Sequence, residues 1–203
     1  MKTPAGPIET EVKIPMPDGV AAARLLIESH GYVVTEPRTL QVDQVFDYPD
    51  GTLRQDGKLL RVRSESSSEP GAILTFKGRV VSGSPHKSRE ELETSAGSRA
   101  TLEQILERLG FVPSFRYEKY RTTFRAPQAS RNSGVAAETG LIALDETPIG
   151  VFMELEGPGY WIDRVALEFG FTAKNYLTAS YAALYRDYLT SSPGPSDMIF
   201  LKH

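Results

Sequence analysis

Residues 8–15 read Ile-Glu-Thr-Glu-Val-Lys-Ile-Pro. Alternation puts Glu9, Glu11 and Lys13 on one face of a strand and Ile8, Val12 and Ile14 on the other. A half-buried strand needs generic polar residues on its wet face, not two carboxylates and an ammonium. The pattern returns along the chain. Arg61 and Arg63 share a face in Leu-Leu-Arg-Val-Arg, and Lys77 follows Thr75 in Leu-Thr-Phe-Lys-Gly. Arg89, Glu91 and Glu93 share a face, as do Lys119 with Arg121 and Glu154 with Glu156, and Asp145 lies in the strand before that last pair.

Exposed faces of ordinary antiparallel sheets carry charge too, so no single strand decides the matter. The set is more informative, because like charges gather strand by strand where stability alone would mix signs. Seven cations (Lys13, Arg61, Arg63, Lys77, Arg89, Lys119, Arg121) stand against seven anions (Glu9, Glu11, Glu91, Glu93, Asp145, Glu154, Glu156). With the apolar faces covered by helices, the charged faces line a groove or the lumen of a closed barrel. Such a lumen needs its clusters neutralised. Clustered Arg and Lys suit a chain of phosphates, and clustered carboxylates suit divalent cations with oxygen ligands. Glu9 and Glu11 are thus metal-ligand candidates and Lys13 a phosphate contact on the same wall.

The remaining composition narrows the field. The 203 residues carry 40% hydrophobic and 24% charged residues with a formal net charge of -3, an ordinary globular balance without the basic excess of a nucleic-acid binder. There is no Cys, which removes thiolate metal sites and disulfides and suits a reducing cytoplasm. Three His without metal-ligand spacing leave carboxylates as metal donors, which favours Mg²⁺ or Mn²⁺. Neither a signal core nor an apolar run of the ~20 residues that cross a membrane is present.

Pattern and turn residues predict strands over 8–16, 41–47, 59–63, 72–80, 88–94, 115–125, 142–146 and 151–156. Helices are expected from Asp18 to Gly31, over 99–109 behind a Ser98 cap, and over 161–170 and 174–189. Residues 64–71 read as a polar turn and 126–140 as a flexible loop. No linker divides the chain, so residues 1–190 form one α+β domain with a loose tail over 191–203. A strand, helix and charged-strand order recurs near 8–80 and 88–156. Trp161 reads as a core aromatic, His30 and His86 as surface residues, and Tyr176, Tyr181, Tyr185 and Tyr188 as the contact stripe of one helix.

In this order the motifs resemble the CYTH superfamily, also called triphosphate tunnel metalloenzymes, which includes class IV adenylate cyclases and thiamine, inorganic and RNA triphosphatases. The resemblance rests on Glu9-x-Glu11-x-Lys13, Gln41-x-Asp43 with Phe46-Asp47, Leu60-Arg-Val-Arg63, Leu74-Thr-Phe-Lys77-Gly78, Arg89-x-Glu91-x-Glu93, Lys119-x-Arg121, Asp145 and Gly150-x-Phe-x-Glu154-x-Glu156. Ser180-Tyr181 is similar to a Ser-Tyr of the cyclase branch, although Ala179 stands where many relatives carry Lys. The resemblance covers roughly residues 8–189 and implies a closed antiparallel barrel of eight strands with covering helices. It implies triphosphate binding by Lys13, Arg61, Arg63, Lys77 and Arg121, with Arg89, Lys119 and Tyr181 beside them. It also implies divalent ions, Mg²⁺ or Mn²⁺, on Glu9, Glu11, Asp145, Glu154 and Glu156. Glu91 and Glu93 would orient the basic residues or join the metal site, and together with Lys13, Arg61 and Arg63 they form the expected catalytic set. The substrates implied are ATP, tripolyphosphate or thiamine triphosphate, cyclised or hydrolysed by a cytoplasmic, homodimeric enzyme without nucleic-acid or membrane partners. The other expectation is a binding module that holds nucleotide or polyphosphate without turnover.

Overall fold

The computed structural model describes residues 6–65, 71–127 and 140–201. Most of the 64–71 turn and of the 126–140 loop lies outside the described residues. Eight strands run in chain order as β1 (Ile8–Pro15), β2 (Val33–Asp47), β3 (Leu59–Glu65), β4 (Ala72–Lys77), β5 (Lys87–Ala96), β6 (Val112–Arg125), β7 (Leu141–Thr147) and β8 (Gly150–Glu156). They close into one barrel in the order β1-β5-β4-β3-β2-β6-β7-β8, every neighbour antiparallel. Helices α1 (Gly19–Ser29), α2 (Thr52–Gln55), α3 (Arg99–Arg108), α4 (Gly159–Glu168) and α5 (Tyr181–Ser191) cover the outside and one end.

The repeat seen in the sequence is structural. Each half runs strand, helix, then three strands, apart from the short α2 in the first half: β1-α1-β2-β3-β4 and β5-α3-β6-β7-β8. Exchanging the halves reproduces the barrel order read in the opposite direction.

The main core lies outside the barrel wall, not inside it. Val12, Ile14, Ile142, Leu144, Met153 and Leu155 point outward from β1, β7 and β8 onto Ala23 and Ile27 of α1 and onto Trp161, Ile162 and Val165 of α4, all nearly or fully buried. Trp161 is a core aromatic, as expected. A second cluster places Phe46, Leu60 and Val62 against Leu102 and Leu106 of α3. Apolar side chains outward under helices force the alternate, charged side chains into the lumen.

Beside the unforeseen short α2 and a β4 that stops at Lys77 instead of 80, three parts of the chain differ from the sequence reading. β2 begins at Val33 rather than 41, because its first half pairs only with β6 and crosses Pro37 through register shifts. An edge position tolerates a residue without an N–H, where a central strand does not. The expected 174–189 helix is broken: Ala173–Asn175 is one 3₁₀ turn, and Leu177 exchanges two backbone hydrogen bonds with Lys13 before Ser180 caps α5 by accepting from Ala183 N. Tyr176 therefore leaves the stripe and donates to Asp163 instead.

The third difference is the tail. Met198 is fully buried among Tyr117, Tyr181 and Tyr185, and its backbone bonds to both Arg116 and Glu118 of β6. Asp197 accepts from Arg116 N and Pro195 accepts from the Tyr185 hydroxyl, so residues 195–198 are fixed to the barrel. A Gly-Pro-rich segment reads as loose, but one deeply buried Met anchors it.

Candidate active site

Every strand except β2 and β7 contributes a charged side chain to a single cavity of about 210 Å³ inside the barrel. Glu9, Glu11 and Lys13 from β1, Arg61 and Arg63 from β3, and Lys77 from β4 line it. So do Arg89, Glu91 and Glu93 from β5, Lys119 and Arg121 from β6, Glu154 and Glu156 from β8, and Tyr181 from α5. All but one of the residues proposed from the sequence thus converge. The exception is Asp145, which is fully buried beneath Lys119, Arg121 and Tyr181 and does not line the cavity.

Pairing explains why like charges on one strand are tolerated. Barrel order sets several anionic positions beside a cation of the next strand, Glu9 opposite Arg89, Glu91 opposite Lys77 and Glu154 opposite Lys13, whereas Glu156 lies opposite Glu11. The clusters expected to need outside neutralisation therefore partly neutralise one another. Lys77 sits 2.5 Å from Glu9 and 2.9 Å from Glu91, and Lys13 lies 3.3 Å from Glu11 and 3.2 Å from Glu154. Arg121 also pairs with Glu154.

Two buried aspartates aim the cations without facing the cavity. Asp43 lies 2.9 Å from Arg63 Nε and 3.2 Å from Arg61 Nε. Asp145 accepts from Lys119 at 2.7 Å, twice from Arg121 at 2.6 Å and from the Tyr181 hydroxyl at 2.7 Å. Both Asp145 oxygens are thus taken by this chain's own donors, a different setting from the metal-ligand role expected of it. Glu93 accepts from Thr75 at 2.6 Å and from Arg61 at 3.4 Å.

Two residues escaped the sequence reading. Asp43 appeared only as part of a motif; its sign, opposite to the Arg pair across the strand, was the available signal. Lys87 precedes Arg89 by two and so shares its lumen face, yet it stood outside the strand as read from 88 onward. It is buried, lines the cavity and donates to Glu11 at 2.7 Å. His86, expected on the surface, is buried and hydrogen-bonded to Asp163 at 2.8 Å.

The enclosure shifts the titration of these groups. Burial would raise the Glu11 carboxyl, but Lys13 and Lys87 overcome it and hold it far below its ordinary range. Arg121 and Lys13 do the same for Glu154. Burial, with Arg121 beside it, lowers Lys119 to about 8, and burial, with Lys13 and Arg89 nearby, lowers Lys87 to about 8. Glu156 is pushed up to about 7 by burial and by Glu9, Glu11 and Glu154, and it makes no ion pair among the described residues. Glu91 also rises to about 7 through burial and its contact with Glu9.

The donor set fits a hard divalent ion in kind: Glu9, Glu11, Glu154 and Glu156 offer only oxygen, and Glu156 makes no ion pair among the described residues. Among the described residues no three carboxylates or imidazoles already stand in ligand geometry. The cation set has donors to spare. Arg89 reaches its carboxylates only at 3.8 and 3.9 Å, and its buried Nε has no hydrogen-bond partner.

No described helix is long and apolar enough to cross a membrane. A search of curated proteins finds no significant match. Among solved structures, the fold is similar to a candidate adenylate cyclase of Vibrio parahaemolyticus at a TM-score of 0.68 and 18% identity, covering 92% of this chain and 99% of that one. A Pyrococcus horikoshii protein superposes at 0.69 with 19% identity over 89% and 99% of the two chains. A candidate adenylyl cyclase of Hippeastrum with a dominant triphosphatase activity superposes at 0.62 with 20% identity over 89% and 95%. The CYTH domain matches residues 7–160, a span that takes in all eight strands and every charged wall of the tunnel, and the chain belongs to that family.

Proposed function

We propose that this protein is an enzyme that holds the triphosphate of a small-molecule substrate inside the barrel and cleaves it with the help of a divalent ion, Mg²⁺ or Mn²⁺. One observation carries the reading: Lys13, Arg61, Arg63, Lys77, Arg89, Lys119 and Arg121 all reach a single cavity that six glutamates also line. Arginines aimed by buried aspartates suit the fixed oxygens of a phosphate chain, and the lysines act as adjustable point charges.

In this reading Lys13, Arg61, Arg63, Lys77, Arg89 and Arg121 bind phosphate oxygens and stabilise the charge that shifts as the phosphoryl group transfers. Glu91 and Glu93 act as positioning residues, through Lys77 at 2.9 Å and Arg61 at 3.4 Å. Tyr181 positions Asp145, and Asp145 positions Lys119 and Arg121. Glu9, Glu11, Glu154 and Glu156 would hold the ion, which supplies charge neutralisation and Lewis acidity when bound. Asp145 is assigned to cation positioning, because it alone of the five carboxylates proposed as ligands does not line the cavity and is fully buried against Lys119 and Arg121. The existing ion pairs must yield when substrate enters, so polyphosphate and cation are expected to bind together, each taking the partners that the other releases.

The test is product analysis with ATP, tripolyphosphate and thiamine triphosphate, each with Mg²⁺ and with Mn²⁺. Phosphate release makes the protein a triphosphatase, and cyclic AMP with pyrophosphate makes it a cyclase. Binding without turnover of any of the three would leave only a nucleotide- or polyphosphate-holding module. Glu154→Ala and Arg63→Ala should each abolish turnover in a folded protein, and full activity in either would overturn the site.

A further inference from the structure

A seam in the barrel wall is closed from outside. β5 begins at Lys87, whose rung opposite Glu11 is the last that it shares with β1. Two residues further along β1, Lys13 turns the same edge to Leu177, and the two exchange backbone hydrogen bonds of 3.0 and 2.8 Å. The seam therefore runs between Lys87 and Leu177. The residues next to them, His86 and Tyr176, meet on one carboxylate of α4. Asp163 Oδ1 lies 2.8 Å from His86 Nε2 and accepts from the Tyr176 hydroxyl at 2.9 Å. The His86 and Tyr176 rings are 5.9 Å apart between centroids.

The contact is fixed on every side. With Nε2 donating to Asp163, His86 Nδ1 accepts from Ser84 Oγ at 3.1 Å, and that oxygen accepts from His86 N. The imidazole lies against Gly159 at the start of α4, where a Cβ would come within 3.0 Å of the ring. Thr172 and Asn175 cap the 3₁₀ turn that presents Tyr176. Trp161, Ile162 and Val165 fix α4 itself to the wall. A terminal rung and an isolated bridge are where a sheet opens first. Here both carry charge for the tunnel: Lys87 donates to Glu11 at 2.7 Å, and Lys13 lies 3.3 Å from that same carboxylate.

We propose that Asp163 is a positioning residue for the tunnel: from outside the barrel it ties His86 to Tyr176, and thereby holds Lys87 and Lys13 on Glu11. The role rests on the triphosphate reading and extends it to the layer behind the wall, since Glu11 with Lys13 and Lys87 is where cation and phosphate would meet. Loss of a supporting group of this kind lowers ligand affinity by about 10-fold or more. Asp163 is half-exposed, so its substitution leaves no cavity in the core.

The experiment pairs amide hydrogen exchange, read by NMR, with calorimetric titration of tripolyphosphate in the presence of Mg²⁺, both on the full chain. Asp163→Ala should speed exchange at the Lys13 and Leu177 amides and weaken tripolyphosphate binding by roughly 10-fold. Asp163→Asn keeps an acceptor oxygen and should restore both to within about twofold of wild type. Ile27→Val, which loosens the core beneath α1 away from Asp163, should leave the affinity unchanged. With Lys87→Met already in place, His86→Ala should cost no further affinity, because its route to the site is gone. Unchanged exchange or wild-type affinity in Asp163→Ala overturns the positioning role alone. So does an equal loss in Ile27→Val or in Asp163→Asn, or an additive loss in the double variant. Absence of tripolyphosphate binding in the wild type overturns the triphosphate reading, and the role with it.

Discussion

The Tyr181 hydroxyl donates a 2.7 Å hydrogen bond to Asp145 Oδ2, joining the first turn of the covering helix to a carboxylate that already holds Lys119 and Arg121. Three donors converge on one buried acid, so the position of the helix and the aim of two tunnel cations are coupled. Tyr181→Phe keeps the ring and removes one donor, and is expected to cost about 1–2 kcal/mol of stability. Phosphate affinity should fall through the loosened cations. A thermal melt with a parallel tripolyphosphate titration checks both effects; an unchanged affinity would separate the helix from the site.

Asp43 is fully buried between Arg61 and Arg63. Asp43→Ala leaves Arg63 without its ion-pair partner and Arg61 with Glu93 alone, a loss of on the order of 3 kcal/mol. Tripolyphosphate supplies the missing negative charge, so it should raise the melting temperature of the variant more than that of wild type. Equal ligand-induced shifts would show that the arginines do not face the phosphates.

Glu156 titrates near 7, above its ordinary 4.5, because burial and its carboxylate neighbours disfavour the charged form. A raised folded-state value means that stability is present in full below about 4.5 and is lost as pH rises through about 7. Without divalent ions, Glu156→Gln should therefore melt at nearly the wild-type temperature at pH 5 and higher at pH 8, by up to about 3 kcal/mol. Added Mg²⁺ should close that gap by stabilising wild type alone. Melts at two pH values with and without the ion decide it.

Lys87 and Lys119 are both lowered to about 8, chiefly by burial. Only the protonated amines attract phosphate, so tripolyphosphate affinity should be level below that value and fall as pH rises through it. Lys119→Met should weaken binding at pH 7 and flatten part of the decline. A titration series from pH 6.5 to pH 9.5 measures it, and a pH-independent affinity would exclude both lysines from phosphate binding.

Met198 fills the junction between β6 and α5. Met198→Ala should cost roughly 2–4 kcal/mol through the cavity that it leaves. Chemical denaturation measures that loss directly.

Much of this protein was legible in the residues themselves. Alternation fixed which side chains share a face, so Glu9 with Glu11, Arg61 with Arg63 and Glu154 with Glu156 could be read as lumen walls before any strand was placed. Such a pattern is local: period two needs only an extended backbone. The motif order then supplied the closed barrel. What alternation could not reveal was which strand lies beside which, because register and closure are set by contacts far apart in sequence. Only the folded barrel shows that the anions of β1 meet Arg89, that Asp145 faces its own cations in place of solvent, and that Lys87 belongs to the wall. For the same reason only the fold breaks the 174–189 segment at Leu177, where two backbone bonds to Lys13 outweigh a weak helical periodicity, and only the fold pins Met198. Local backbone geometry determined the faces; long-range strand pairing and burial decided their partners.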